Sequence, residues 1–552
     1  MRPSDASASL DLLAVHAEMI HDLAKSSGVV ERQTDVVIIG GGIAGLILAQ
    51  RLARRHRVIV LESGALRPSD DANELNAVEQ IGSPYRAPDE GRTRGLGGTS
   101  NKWGGALLPF EPGDFAARPD LDRAAWPVGY DAIATQIGEV ERLFGLVSGP
   151  YDQPVGPWFR SDHGDVSPFV ARFAKWPSFA RRNVATLLRD DLKRAGNLEI
   201  WLNATCAEFA FAPAKSGLQS VTALANGAKL IARGRHFVLA AGAIESTRLL
   251  LWAQAQPHAP SPPSERPLGL YLHDHLSAQV ATIDTDEPIA LNRLAGFRFD
   301  GATMRSFRLE LSPEAQRRLG APGGFAHIAF TPLKPSGFEA LRDFMRGIQA
   351  RRFELGALQG ALADAPYLAQ AAYWRLIRRQ LYWPRPARYE LHTVIEQRAN
   401  RANRISLGAG RDRLGVPKAR IEWRVMDADI DAFRTLSVCL DGFWSNGPLG
   451  RIGRLKWREP PHDITHPNLD LGDVYHPGGT TRMGDDPQTS VVDRNLTVWD
   501  IPNLSVVATS TFPSGASANP TMTLIAFVMR LGIFLDERLL QKPIIATRGV
   551  GS

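Results

Sequence analysis

The sequence predicts an α/β fold in which one domain is assembled from separated stretches of chain and a second, α+β domain is inserted between them. Three observations predict this. Asp35–Ile39 (DVVII), a glycine turn, the apolar run IAGLILAQRLARR and Val58–Leu61 follow one another directly, which is strand, turn, helix and strand within about 30 residues, a βαβ unit. A strand running into a helix recurs at Phe237–Ala243 with IESTRLLLWAQ, and glycine turns precede a long apolar helix at Asn519–Leu540. Between them, roughly 280–465 alternates strand-like and helical runs with no nucleotide motif of its own.

Taken in order, residues 1–30 read as an accessory extension, with Leu10, Leu13, Ala14, Ala17 and Ile20 at helical spacing. Asp5, Asp11, Glu18 and Asp22 interrupt it, so it does not read as a signal peptide. Residues 64–90 are polar and read as an excursion, Trp126–Leu146 as a helix, and 150–180 as irregular chain rich in Pro, Phe and Trp. Val184–Ala195 has a helical pattern and Leu198–Leu202 a strand pattern, while the five prolines of 256–267 mark a loop. The expected division is 31–149, 197–280 and 470–545 for the nucleotide domain, and 150–196 with 281–469 for the substrate domain.

Composition excludes several classes. A net charge of +6 over 552 residues is a mild excess and does not call for nucleic acid. Cys206 and Cys439 are the only cysteines, too few for a disulfide framework or a zinc site, and consistent with a reducing, cytoplasmic compartment. No apolar run reaches about 18 residues, the length of a membrane-spanning helix. The stretch Leu341–Arg388 holds nine arginines against three acids, with Tyr373, Trp374, Tyr382 and Trp383 among them. A solvated helical face is the default reading, and a peripheral membrane contact or partner-docking helix the sharper one.

Gly40-x-Gly42-x-x-Gly45 directly follows a strand and opens a helix. The first glycine makes the turn, the second lets backbone approach a pyrophosphate, and the third lets helix and strand pack, as in a Rossmann-type dinucleotide site. Phosphates then sit on free N–H groups at the helix N-terminus, beside Ile43 and Ala44. Glu62, followed by Ser63, ends the second strand, where a carboxylate accepts hydrogen bonds from ribose hydroxyls. The motif by itself serves NAD and FAD alike.

Four further segments select between them: Gly95-Leu-Gly-Gly-Thr-Ser-Asn-Lys-Trp-Gly-Gly105, Val238–Ser246, Glu396–Leu407, and His476-Pro-Gly-Gly-Thr-Thr-Arg-Met-Gly484 continuing to Asn503-Leu and Ala518-Asn519-Pro520-Thr521. With the N-terminal unit, in this order, they resemble the glucose–methanol–choline oxidoreductase family over about 34–540, and most closely its pyranose oxidase and sugar dehydrogenase branch. The resemblance implies an FAD domain covered by a substrate domain of sheet and helices. It implies that Gly97, Gly98, Thr99, Ser100 and Asn101, with Trp103, wrap the pyrophosphate and approach the flavin. Ala241, Gly242 and the backbone near Cys206 would pass the adenine, and Pro520 and Thr521 would adjoin the flavin. His476 and Asn519 would be the catalytic pair.

Two departures from the family matter. Thr99–Trp103 contains no histidine, so FAD is expected to be non-covalent. Ala508 stands where many members carry an acid, so Ser510 or backbone N–H groups would have to replace it. His273 and His275 have H-x-H spacing, but the family has an Asp-His here without a metal, and none is expected. The implied reaction is oxidation of an alcohol, such as a sugar, a glycoside or another secondary or polyhydroxylated alcohol. A neutral imidazole takes the hydroxyl proton, with a pH window near ~6–8 for an unperturbed histidine. A lyase on the same fold and a non-catalytic flavoprotein subunit are the alternatives. Oxygen and other electron acceptors, and every oligomeric state, stay open.

Overall fold

A computed structural model of the chain describes residues 19–541 apart from 153–166, 214–216, 334–336, 351–354, 363, 384–385 and 466–469. The first sheet is built on β1 (Val29–Ile39), which leads through Gly40–Gly42 into helix α1 (Ile43–Leu52) and then β2 (Val58–Leu61). Val36–Ile39 and Val58–Leu61 are buried on both faces, as continuous apolar strands of a parallel sheet must be. On the other side of β1 lies β3 (Ala228–Leu239), which runs into helix α2 (Ala243–Gln254). The strand order is Ile20–Asp22, Leu198–Leu202, β2, β1, β3, Leu218–Ala225, Thr205–Phe211, and Leu504–Val506 adds in parallel to the end of β3.

The second sheet contains β4 (His275–Asp284), β5 (Thr303–Leu311), β6 (Gly324–Pro332) and β7 (Ala387–Glu396), ordered β5, β6, β7, β4. Between β6 and β7 the chain makes a helical excursion, α3 (Gly337–Gln349), α4 (Leu355–Leu362) and α5 (Ala365–Tyr373). Helix α6 (Asp427–Ser445) covers one face of this sheet. Ala326, Leu391 and Ile395 are buried in one apolar cluster with Phe433, Leu436 and Leu440. The alternate residues of β6 and β7, among them Phe325, His327 and His392, lie on the other face and are partly exposed. A final helix, α7 (Thr521–Leu540), returns the chain to the first sheet, packed on α1.

Several elements differ from the sequence reading. Phe169–Trp176, in the stretch read as irregular, is a strand paired over its whole length with β5; strand partners far away in sequence override the local composition. Glu79–Gly82, inside the polar excursion, pairs with the hairpin Arg404–Arg411 and Pro417–Trp423, so hydrogen bonds join stretches assigned to different domains. Ile20–Asp22 is an edge strand of the first sheet and β1 starts at Val29, so the chain before residue 31 is not all accessory. His275–Asp284 runs wholly in the second sheet, beyond the boundary at 280. The helical spacing over Leu10–Ala17 lies outside the described residues.

Candidate active site

Two glycine turns meet at the carboxyl ends of the parallel strands. Gly40 N donates to Leu61 O (2.8 Å), tying β1 to β2, and Gly97 N donates to Gly41 O (2.8 Å), tying the second turn to the first. A Cβ on Gly45 would stand 1.9 Å from Gly40 O, and one on Gly98 would stand 2.8 Å from Gly42 Cα. Neither turn therefore admits a side chain at these positions. Gly42 is the N-cap of α1 and no side chain caps it. Gly42 and Ile43 are partly exposed there, whereas Ala44 and Gly45 are buried against the sheet. Unpaired N–H groups at a helix N-terminus facing a second glycine turn fit a pyrophosphate, and the chain passes this test for FAD.

Glu62 is more heavily engaged than a ribose ligand alone would be. Its Oε2 accepts from Gly41 N (2.9 Å), and its Oε1 from Gly64 N (2.8 Å) and Gly95 N (3.0 Å). One carboxylate thus ties both glycine turns together, with acceptor capacity left for about one more hydroxyl. Ser63 Oγ accepts from Arg94 Nη1 (2.9 Å), and Arg94 pairs with Glu245 of α2 (3.1 Å). Burial alone would raise Glu245, but Arg248, Arg94 and Arg92 outweigh it and hold the carboxyl at about 2. Gly242, the exposed N-cap of α2, has no atom within 4 Å of where a Cβ would lie, so there is room beside it. Ala241 N donates to Ser246 Oγ (3.1 Å). The Cys206 thiol is buried and pushed up by burial and by Glu245.

Four of the proposed cofactor contacts are buried and engaged within the chain. Ser100 and Ser510 have no exposed surface. Ser100 Oγ donates to Gly97 O (2.5 Å) and accepts from Val184 N (3.0 Å), and Ser510 Oγ accepts from Thr481 (2.7 Å). Asn101 Nδ2 donates to Leu96 O and Gly98 O while its Oδ1 accepts from Asn183 (2.9 Å). Pro520 is buried at the N-cap of α7. Glycine turns leave backbone groups that need partners, and the side chains of Ser100 and Asn101 supply them. Trp103 Nε1 likewise donates to Arg182 O (2.8 Å). Thr99 and Thr521 remain partly exposed.

His476 and Asn519, 43 residues apart, come together: Asn519 Nδ2 lies 3.3 Å from His476 Nε2. The other ring nitrogen, Nδ1, lies 3.1 Å from His275 Nδ1, and His275 Nε2 lies 2.8 Å from Ala516 O. The hydrogen bonds fix the protons in order. A carbonyl only accepts, so His275 Nε2 carries the hydrogen and its Nδ1 is a bare acceptor. His476 Nδ1 must therefore carry a hydrogen, which leaves Nε2 as the free lone pair beside Asn519. Burial, then the charges of His275 and Arg308, lower the His476 pKa well below its ordinary value. Burial also lowers His275, against the opposing effects of Ala516 O and Glu396. Both rings are thus neutral at pH 7.

Asp274 holds this pair from behind. It accepts from His275 N (2.7 Å), His476 N (2.8 Å) and Tyr85 OH (2.9 Å). Burial, with Asp473 nearby, pushes its carboxyl up to about 8. Ligand atoms of Asp274, His275 and His476 lie within 4.8 Å of one another, and they are spent on one another and on the backbone as a hydrogen-bonded relay. His273 points elsewhere, its Nδ1 on Tyr271 O (3.1 Å).

Sequence reasoning missed a second pair of histidines, on the second sheet. His327 on β6 lies directly across from His392 on β7, their rings stacked at 5.2 Å. Burial holds His327 down to about 3 and lowers His392. Arg308 of β5 stands 4.2 Å over the Phe325 ring, and its charge reaches both His327 and His476. Single histidines in strands 65 residues apart carry no local signal; only the pairing of β6 with β7 brings them together.

A family model described as "GMC oxidoreductase" matches residues 399–527, and one described as "NAD(P)-binding Rossmann-like domain" matches 38–66. The chain is 22% identical to 2-methyl-1,2-propanediol dehydrogenase of Mycolicibacterium austroafricanum, over 92% of this chain and 96% of that protein. It is 23% identical to paromamine 6'-oxidase of Streptomyces fradiae, over 91% of each. Among solved structures it resembles a pyridoxine 4-oxidase from "Mesorbium loti", at 16% identity and a TM-score of 0.57, over 91% of this chain and 99% of that one. With its paired glycine turns and the His476–Asn519 pair, the chain is a flavoprotein of the glucose–methanol–choline oxidoreductase family.

Proposed function

We propose that the chain oxidises a polyhydroxylated or secondary alcohol, with His476 Nε2 as the base that takes the hydroxyl proton. FAD-dependent oxidation of an alcohol is the activity the family supports. The observation that carries the residue assignment is the ordered chain from Ala516 O through His275 to His476, which leaves one lone pair, on Nε2, facing Asn519. A substrate hydroxyl entering there donates to His476 Nε2 and accepts from Asn519 Nδ2, in place of the bond between the two side chains. When bound, FAD accepts the hydride from the same carbon. Fixing the hydroxyl between two oriented groups supplies much of the rate by positioning.

The substrate class rests on the partly exposed histidines of the second sheet, of which His327 shares the charge of Arg308 with His476. Neutral His327 and His392 each offer one donor and one acceptor, and Glu390 adds acceptors beside His392 (3.9 Å). Hydroxyl groups, which both donate and accept, match such a surface. The relatives are named for 2-methyl-1,2-propanediol and paromamine, and the structural neighbour for pyridoxine. The test is anaerobic flavin reduction against sugars, glycosides, diols, sterols and simple alcohols. Bleaching by polyols ahead of simple alcohols is expected. A flavin that no alcohol bleaches would overturn the proposal.

Glu62→Ala should weaken FAD binding by about 10–100-fold, the scale of a lost hydrogen bond to an ionised group. Flavin titration of apoprotein prepared by acid release measures this. An unchanged affinity would remove Glu62 from the cofactor site.

A further inference from the structure

The helical excursion between β6 and β7 carries four of the most exposed large aliphatic side chains among the described residues. Leu355 and Leu362, seven residues apart on one face of α4, are 68% and 63% exposed. Helix α4 has the sequence LGALQGAL, with no charged residue. After α5, the turn Trp374–Arg378 leaves Leu376 and Ile377 at 73% and 66% exposed, with Arg375, Arg378 and Arg379 exposed around them. Beneath, the excursion is anchored. Phe338, Tyr367, Trp374 and Tyr382 form their own buried cluster, and Gln349 Nε2 donates to Trp103 O (2.8 Å) beside the glycine turn. The exposed leucines are therefore carried by a packed platform.

We propose that this platform docks the protein on an anionic lipid surface. Exposed apolar side chains on a packed element mark an interaction site, and charge decides which. The whole stretch Leu341–Arg388 holds nine arginines against three acids. A second copy meeting this patch across a two-fold axis would set arginine against arginine, because an isologous interface pairs a surface with itself. Leu376 and Ile377, flanked by Arg375, Arg378 and Arg379, match instead the interfacial region of a bilayer, where aliphatic chains enter the acyl boundary and guanidinium groups meet lipid phosphates. No helix among the described residues is long and apolar enough to cross a membrane, so the contact is with one face only.

The experiment is flotation of the FAD-loaded protein with vesicles of phosphatidylcholine alone and of phosphatidylcholine with phosphatidylglycerol. Binding to the anionic vesicles is expected, with weaker binding to the zwitterionic ones and a partial loss in high salt. Leu376→Ser with Ile377→Ser, and separately Arg378→Glu with Arg379→Glu, should each weaken anionic binding by about tenfold or more. Flavin content and flavin reduction by a soluble alcohol should stay unchanged in both, which separates this result from the fate of the catalytic proposal. Absence of vesicle binding by the parent protein, or variants that bind the anionic vesicles as tightly as the parent, overturns the proposal. So does a concentration-dependent dimer that the variants abolish while vesicle binding persists, which would assign the patch to a second copy.

Discussion

His476→Ala should remain yellow and become nearly unreactive. Its ring bonds to His275 and Asn519 rather than to the glycine turns that would hold the pyrophosphate, so FAD content and spectrum should be close to the parent's. Flavin reduction by substrate should fall by ~10²–10⁴, the range for loss of a general base. Asn519→Ala should cost less, since the proton acceptor survives and only a donor to the substrate oxygen is lost. The two losses should not add, because both groups act on one oxygen. Stopped-flow reduction of the two single variants and the double variant measures this. A His476→Ala protein that reduces as fast as the parent while Asn519→Ala is dead would reverse the two roles.

The pH dependence of the parent enzyme follows from the same geometry. An imidazole in water would impose a falling limb around pH 6.5. Burial, His275 and Arg308 all lower His476, so the base stays neutral and competent below that pH. The acid limb of flavin reduction should accordingly lie below 6.5, and the ~6–8 window expected of an unperturbed histidine moves down. Arg308 is one cause of the shift and also lowers His327, so the two histidines are electrostatically linked.

What the sequence could disclose was local or carried by a motif. Val36–Ile39, α1 and β2 could be read directly because a buried parallel strand is continuously apolar and the glycine spacing has a single mechanical reason. Phe169–Trp176 could not, since its strand character comes from β5, more than a hundred residues away. The same holds at the site. His476 and Asn519 announce themselves in HPGGTTRMG and ANPT, but the part played by His275 depends on one nitrogen lying 2.8 Å from the Ala516 carbonyl. Motif matching alone did not show that Ser100, Asn101 and Ser510 are tied to the loops themselves. A polar residue in a cofactor loop can serve the loop itself, and only burial and hydrogen bonds distinguish the two uses. Glu62 shows both at once.

His275→Leu should be the most damaging change outside the pair that meets the substrate. With leucine, His476 Nδ1–H loses its acceptor and nothing then fixes which nitrogen carries the hydrogen. A tautomer error of this kind costs about 10⁴ in a serine protease, where the partner is a carboxylate; a neutral partner should matter less, so a loss of about 10²–10³ in flavin reduction is expected. His275→Asn keeps an oxygen near the position of Nδ1 and should retain more of the rate than leucine, although it gives up the bond to Ala516 O. Rescue by asparagine separates positioning from simple damage. A change that merely loosened the fold would cost both variants alike. If His275→Leu reduces at the parent rate, or His275→Asn is as slow as His275→Leu, the relay from Ala516 through His275 does not set the base.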